Sequence, residues 1–109
     1  MKLTKSQEKA IEMIKDLIDA QPQRRIDIPQ LVALSRLSES KLTKGFKAMY
    51  HMTLYKYQLE AAMNHAKKLL DDDHQVKEVA IELGYSTSGS FARAFFKVFH
   101  ERPGDYKLQ

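Results

Sequence analysis

Slid along itself by 49 residues, this 109-residue chain meets its own pattern. Leu42 falls on Phe91, Lys44 on Arg93 and Phe46 on Phe95, while Tyr50-His51 falls on Phe99-His100 and Tyr57 on Tyr106. Upstream, at an offset of 48, Ile28, Leu31, Val32 and Leu37 fall on Val76, Val79, Ala80 and Tyr85. The offset changes by one because the second turn is one residue longer. A solenoid needs about three or more repeats for stability. Two copies point instead to one short-helix, turn, longer-helix unit used twice.

The spacing of apolar residues predicts what each copy is made of. Thr4 with Gln7 three residues on is a capping-box arrangement, and Ala10, Ile11, Ile14, Leu17 and Ile18 follow at helical spacing until Pro22. Asp27 caps a second helix with Pro29 in its first turn, where the missing N–H costs nothing, and Ile28, Leu31 and Val32 form its apolar face. Ser38 caps a third, with Leu42, Gly45, Phe46 and Met49 inward. Two helices joined this tightly, the second with a polar outer face, read as a helix-turn-helix.

Thr53 caps a long fourth helix reaching about Leu70, apolar on more than one side as a central helix is. At ~1.5 Å per residue it spans about 27 Å. Val76, Val79, Ala80 and Leu83 give a fifth helix ended by Gly84, and Thr87 or Ser88 starts a sixth with Phe91, Ala94, Phe95 and Val98 inward. Pro103 opens a last short turn of helix containing Tyr106. The expected fold is all-α, about seven helices: a single domain over residues 1–109, with a first helix-turn-helix subdomain at 4–51, a linker helix at 53–70 and a second subdomain at 75–108.

Composition narrows the function. Apolar residues at 43% and charged residues at 29% describe a folded domain rather than a disordered one. With 0 Cys, disulfides, thiolate metal sites and cysteine nucleophiles are excluded. No apolar run approaches the roughly 18 residues of a membrane span. The start, Met1-Lys2-Leu3-Thr4-Lys5, is unlike a signal peptide, so a cytoplasmic, nucleoid-associated location is expected. The +4 net charge permits a polyanionic partner without requiring one.

The 4 histidines and the Asp71-Asp72-Asp73-His74 run invite a metal reading. No histidine pair has the i, i+4 spacing of a zinc helix, and the acidic run lacks the glycine and terminal glutamate of a calcium loop. No nucleophile elbow, phosphate loop or paired carboxylates appear. Neither a cofactor, a metal nor catalysis is expected.

Helical geometry assigns the outward faces. On the third helix Ser40, Thr43, Lys44 and Lys47 stand at i, i+3, i+4 and i+7, opposite the core set. Such a face can hydrogen-bond base edges in a major groove, with Lys44 in reach of guanine O6 or N7. Spacing alone fits a plain solvated face equally well. On the sixth helix the same positions are Gly89, Ala92, Arg93 and Phe96, with Ser88 and Ser90 at the edges. Arg93 is the only strong hydrogen-bonding group there, for a guanine or a phosphate, and the rest offer close approach and anchoring. Phe96 either touches a thymine methyl or packs on a neighbouring helix, and packing is the favoured reading. Arg36, Lys41, Lys97, Arg102 and the Ser38 and Thr87 caps are candidate phosphate contacts, together with Ser88 and Ser90. The competing function is a protein-binding helical module whose polar faces dock acidic partners.

The stretch Val79-Ala80, Gly84-Tyr85-Ser86-Thr87-Ser88-Gly89-Ser90-Phe91-Ala92-Arg93-Ala94-Phe95, then Pro103 and Tyr106, resembles the second helix-turn-helix of the AraC/XylS family of bacterial transcription regulators. Leu31 through Phe46-Lys47 and Tyr57 resembles the first, more loosely, and the likeness covers residues 8–108. It departs at His51 and His100, where the family usually has glycine, and at Arg36, where the first turn normally has glycine. Phe96 stands at the family's basic position, with Lys97 one step later, and Ala62 replaces a usual arginine.

The resemblance implies that the third-helix positions read bases. It also implies one monomer on an asymmetric DNA site, often with the DNA bent. Two recognition helices ~34 Å apart would enter successive major-groove segments over about two turns, roughly 20 base pairs. Activators of this kind touch RNA polymerase, and Glu78 and Glu82 are a candidate acidic patch for it. The chain is expected to be either the C-terminal part of a longer regulator or similar to the family's single-domain stress regulators.

Overall fold

Five helices start where the residue before them offers a side-chain oxygen to a free N–H. The computed structural model describes residues 2–108 and holds seven helices among them: α1 (Lys5–Ala20), α2 (Ile28–Ser35), α3 (Glu39–Tyr50), α4 (Leu54–Asp71), α5 (Val76–Glu82), α6 (Ser88–Phe99) and α7 (Pro103–Lys107). The ends of the expected 1–109 span, Met1 and Gln109, lie outside the described residues.

Thr4 and Gln7 close the capping box of α1 in both directions, at 3.1 and 2.9 Å. Asp27, Ser38 and Thr87 each accept the N–H three residues on, and Thr53 does the same for Lys56 at 3.1 Å. Gly84 lies just past α5 with φ 79°, the left-handed conformation that glycine adopts without strain. The long central α4 joins the tandem helix-turn-helix units.

The chain forms two compact units. The first runs to Gln21 and continues over Ile26–Gln58; the second comprises Pro22–Arg25 and everything from Leu59 on. In the first, Ile11, Ile14, Ile18, Leu31, Leu42, Phe46 and Leu54 are buried. Phe46 stands edge-on to Tyr50 and to Tyr57, with ring centres 4.9 and 5.4 Å away. Gly45 is buried in α3 because α1 passes close by. A Cβ there would lie 2.5 Å from Ile11 Cδ1, which is itself fully buried. The second unit packs Met63, Ala66, Leu70, Val79, Ala80, Leu83, Phe91 and Phe95, with Ala62 buried alongside.

Packing reveals that the repeat extends into the long helices, at an offset of 52. Ile11, Ile14 and Ile18 of α1 correspond to Met63, Ala66 and Leu70 of α4, all buried. Lys15-Asp16-Leu17-Ile18-Asp19 corresponds to Lys67-Lys68-Leu69-Leu70-Asp71. The pair does the same work twice. Tyr57 donates its hydroxyl to Asp19, and Lys15 Nζ lies over the Tyr50 and Tyr57 rings at 5.6 and 5.5 Å. Tyr106 donates to Asp71, and Lys67 Nζ lies over Phe99 and Tyr106 at 4.8 and 5.2 Å. Each clamp ties the end of α3 or α6, and the segment after it, to the long helix of its own unit.

The first clamp carries a pH dependence. Partial burial opposes ionisation of Asp19 most strongly, but hydrogen bonds from Tyr57 and Lys15 together outweigh it and hold the carboxyl below the usual range. A carboxyl depressed in the folded state stabilises above its unfolded pKa and loses that contribution as pH falls through its folded one. Acidification from about pH 5 to below the depressed carboxyl should therefore weaken the first unit. Asp19→Asn should flatten that part of the acid dependence, read as unfolding midpoint against pH. An unchanged acid limb would remove Asp19 from the account.

Candidate nucleic-acid interface

The turn into α3 is held from inside. Ser35, a buried polar residue, donates its hydroxyl to Val32 O at 2.8 Å and accepts the Leu37 N–H at 3.0 Å. Arg36 then takes φ 60°, ψ 21° and ends α2. Its counterpart in the second turn is Gly84, so the two turns share one left-handed hinge made once with arginine and once with glycine. His51 and His100 are likewise left-handed, at φ 59° and 58°, and end α3 and α6.

A side chain in this conformation costs roughly 1–2 kcal/mol, partly offset against glycine by the lower entropy of the unfolded chain. Arg36→Gly should therefore raise the thermal midpoint by a few degrees. A midpoint that falls would show that the left-handed turn does not strain Arg36.

Ser38 spends its oxygen on the Lys41 N–H, at 3.1 Å. Beyond it Ser40, Lys44 and Lys47 are exposed, Thr43 and Lys41 half-buried, and Leu42, Gly45 and Phe46 face inward. The four expected base-reading positions thus lie together on the outer side of α3. Thr43 is constrained in a way its spacing did not reveal. Its hydroxyl donates to Glu39 O at 2.9 Å, so toward a ligand it offers lone pairs and a methyl group.

In the second unit Thr87 accepts the Ser90 N–H at 3.0 Å and its hydroxyl donates to Ser90 Oγ at 3.0 Å, while Ser90 Oγ donates to Thr87 O at 2.9 Å. Both hydroxyl protons expected for phosphate are held inside this turn. Ser88 is exposed, as are Gly89, Arg93, Lys97 and Arg102. Gly89 is not required by the protein itself, since a Cβ there would meet Arg93 Nη1 at an ordinary 3.7 Å.

Phe96 lies on the outer face of α6, 50% exposed, with its ring 6.3 Å from that of His100 one turn on. With Gly89, Ala92, Arg93 and Arg102 it lines an open groove of about 420 Å³. Period puts residue 96 on this outer face with Gly89, Ala92 and Arg93, as expected from the sequence.

The acidic pair on α5 is locally engaged: Glu78 accepts the Gln75 N–H at 2.9 Å, and Glu82 lies 3.5 Å from His65 Nε2. Among the described residues no three potential ligands cluster to hold a metal, and no helix is long and apolar enough to cross a membrane.

Residues 31–109 match the family described as "Helix-turn-helix domain". Among curated proteins, the chain is 26% identical over 97 residues to the "Probable transcriptional regulator LumQ" of Photobacterium leiognathi, covering 88% of this chain and 39% of that protein. It is 25% identical over 103 residues to "Regulatory protein SoxS" of Salmonella typhimurium, covering 94% and 96%. The chain thus spans 39%, 34% and 32% of the length of three such relatives, though nearly all of the last-named protein. Among solved structures, it matches a "probable AraC family transcriptional regulator" from Rhodopseudomonas palustris with TM-score 0.76 and 27% identity, over 92% of this chain and 95% of that one. The C-terminal domain of the response regulator yesN from Fusobacterium nucleatum gives TM-score 0.81 and 25% identity, over 91% and 98%.

Proposed function

This chain belongs to the AraC/XylS family of bacterial helix-turn-helix transcription regulators, and from that footing we propose how it reads double-stranded DNA. As a monomer it occupies an asymmetric site of about two helical turns, roughly 20 base pairs, with α3 and α6 in successive major-groove segments. The observation that carries this is the pairing of outer faces across the repeat: Ser40, Thr43, Lys44 and Lys47 stand where the second unit has Gly89, Ala92, Arg93 and Phe96. One cation is kept at the same place in each face, and the polar groups around it differ.

Lys44 and Arg93 contact base edges, Ser40, Thr43 and Lys47 support the first, and Gly89 lets the duplex approach the second. Arg36, Ser38, Lys41, Thr87, Ser88, Ser90, Lys97 and Arg102 track the backbone. Where hydroxyl protons are spent in the caps, main-chain N–H groups at the helix starts do so in their place. An activator role with a contact to RNA polymerase belongs to the same reading, and in vitro transcription from a promoter carrying the site tests it.

Selection of bound duplexes from a random 30-base-pair library, about three helical turns, is the direct test. Two enriched blocks one helical turn apart support it, and no enrichment sinks it. On the selected duplex, Lys44→Ala and Arg93→Ala should each cost roughly 1–3 kcal/mol and relax preference at one position only. A loss uniform across sequences would assign that residue to phosphate instead.

A further inference from the structure

The groove on α6 is unlike the face of α3 in one respect. Three of its five lining residues, Gly89, Ala92 and Phe96, bring no side-chain hydrogen-bonding group, and the other two, Arg93 and Arg102, are cationic. Among the described residues no carboxylate lines it. A large aromatic ring left half in water beside two positive charges fits a ligand that is anionic overall and carries an apolar group at the contact. In a major groove only one base does so: thymine presents its C5 methyl among acceptors and phosphates.

The geometry points to α6 as a reader of thymine methyls, with Phe96 and Ala92 forming the methyl contact beside a guanine held by Arg93. This rests on the DNA-reading function proposed above and deepens it. Arg93 and Phe96 lie at i and i+3, on one face and separated by about 4.5 Å along the axis. Base pairs are spaced about 3.4 Å apart, so the thymine falls one or two steps from the guanine. The ring cannot turn inward to escape the contact, because the core positions on either side, Phe91 and Phe95, are already filled and fully buried. Lys47, the counterpart of Phe96, gives α3 a hydrogen-bonding cation at that place. The two units would therefore read by different chemistry from one scaffold.

The test uses the full chain and duplexes selected from the random library. Thymines are replaced one at a time by deoxyuridine, which removes the methyl and leaves every hydrogen-bonding group. Wild-type affinity should fall about fourfold at one thymine in the second block, the factor expected for one buried methyl. Phe96→Ala should bind the thymine and deoxyuridine duplexes equally, while keeping the wild-type response in the first block. Its thermal midpoint should stay near wild type, because the ring is half-exposed. Equal wild-type affinity for thymine and deoxyuridine throughout the second block overturns the methyl contact and leaves the DNA-reading function standing. Failure to enrich any duplex overturns both.

Discussion

Phe46→Ala should melt the first unit while the second stays folded, and Phe95→Ala should do the reverse. Both rings are fully buried, and removing such a ring costs roughly 3–5 kcal/mol through lost transfer energy and the cavity left behind. A whole domain holds only about 5–15 kcal/mol. A unit of half that size has less to lose.

The reason for expecting separate outcomes is that each core is assembled from its own unit. Phe46 meets Tyr50 and Tyr57, whereas Phe95 packs with Phe91, Phe99 and Tyr106 at ring distances of 5.9, 4.7 and 6.0 Å. Amide hydrogen exchange is the measurement. In Phe46→Ala, protection should vanish from α1, α2 and α3 and persist in α5 and α6. Simultaneous loss throughout the chain would show that the two cores fold as one cooperative body.

The second large effect is on salt. Apart from Lys44 and Arg93, the proposed DNA-binding surface holds five cations: Arg36, Lys41, Lys47, Lys97 and Arg102. If each releases one counterion, log affinity should fall with log salt at a slope near −4.5. Going from about 50 to 200 mM salt then weakens binding on the order of 500-fold. Fluorescence anisotropy over a salt series gives the slope directly. A slope shallower than about −2 would place most of these cations in solvent.

Helix existence and order were legible because the punctuation is chemical. Thr4, Asp27, Ser38, Thr53 and Thr87 mark starts by what their oxygens can accept, and Gly84 marks an end by the backbone angle it permits. The outer faces of α3 and α6 followed from period. What escaped the sequence reading is whatever depends on two competing uses of one group. Thr43 and Thr87 are polar and outward, yet their protons are already taken by neighbours three or four residues away. The Lys-x-Leu-x-Asp clamp was visible as letters, Lys15 to Asp19 and Lys67 to Asp71. Its offset of 52 differs from the 48 and 49 of the other helices, and only packing brought Tyr57 and Tyr106 to it.

The duplicated clamp bears on how such a protein can change its target. Each of α3 and α6 is fastened to the long helix of its own unit by a lysine, an aspartate and two aromatic rings, none of them on its proposed DNA-facing side. Substitutions at Ser40, Thr43, Lys44 and Lys47 therefore leave the fastening of α3 intact and do not touch that of α6. If α3 and α6 read DNA as proposed, one half of the recognised sequence is free to drift while the other still holds the protein on DNA, so a new binding site is reachable by steps that never abolish binding altogether.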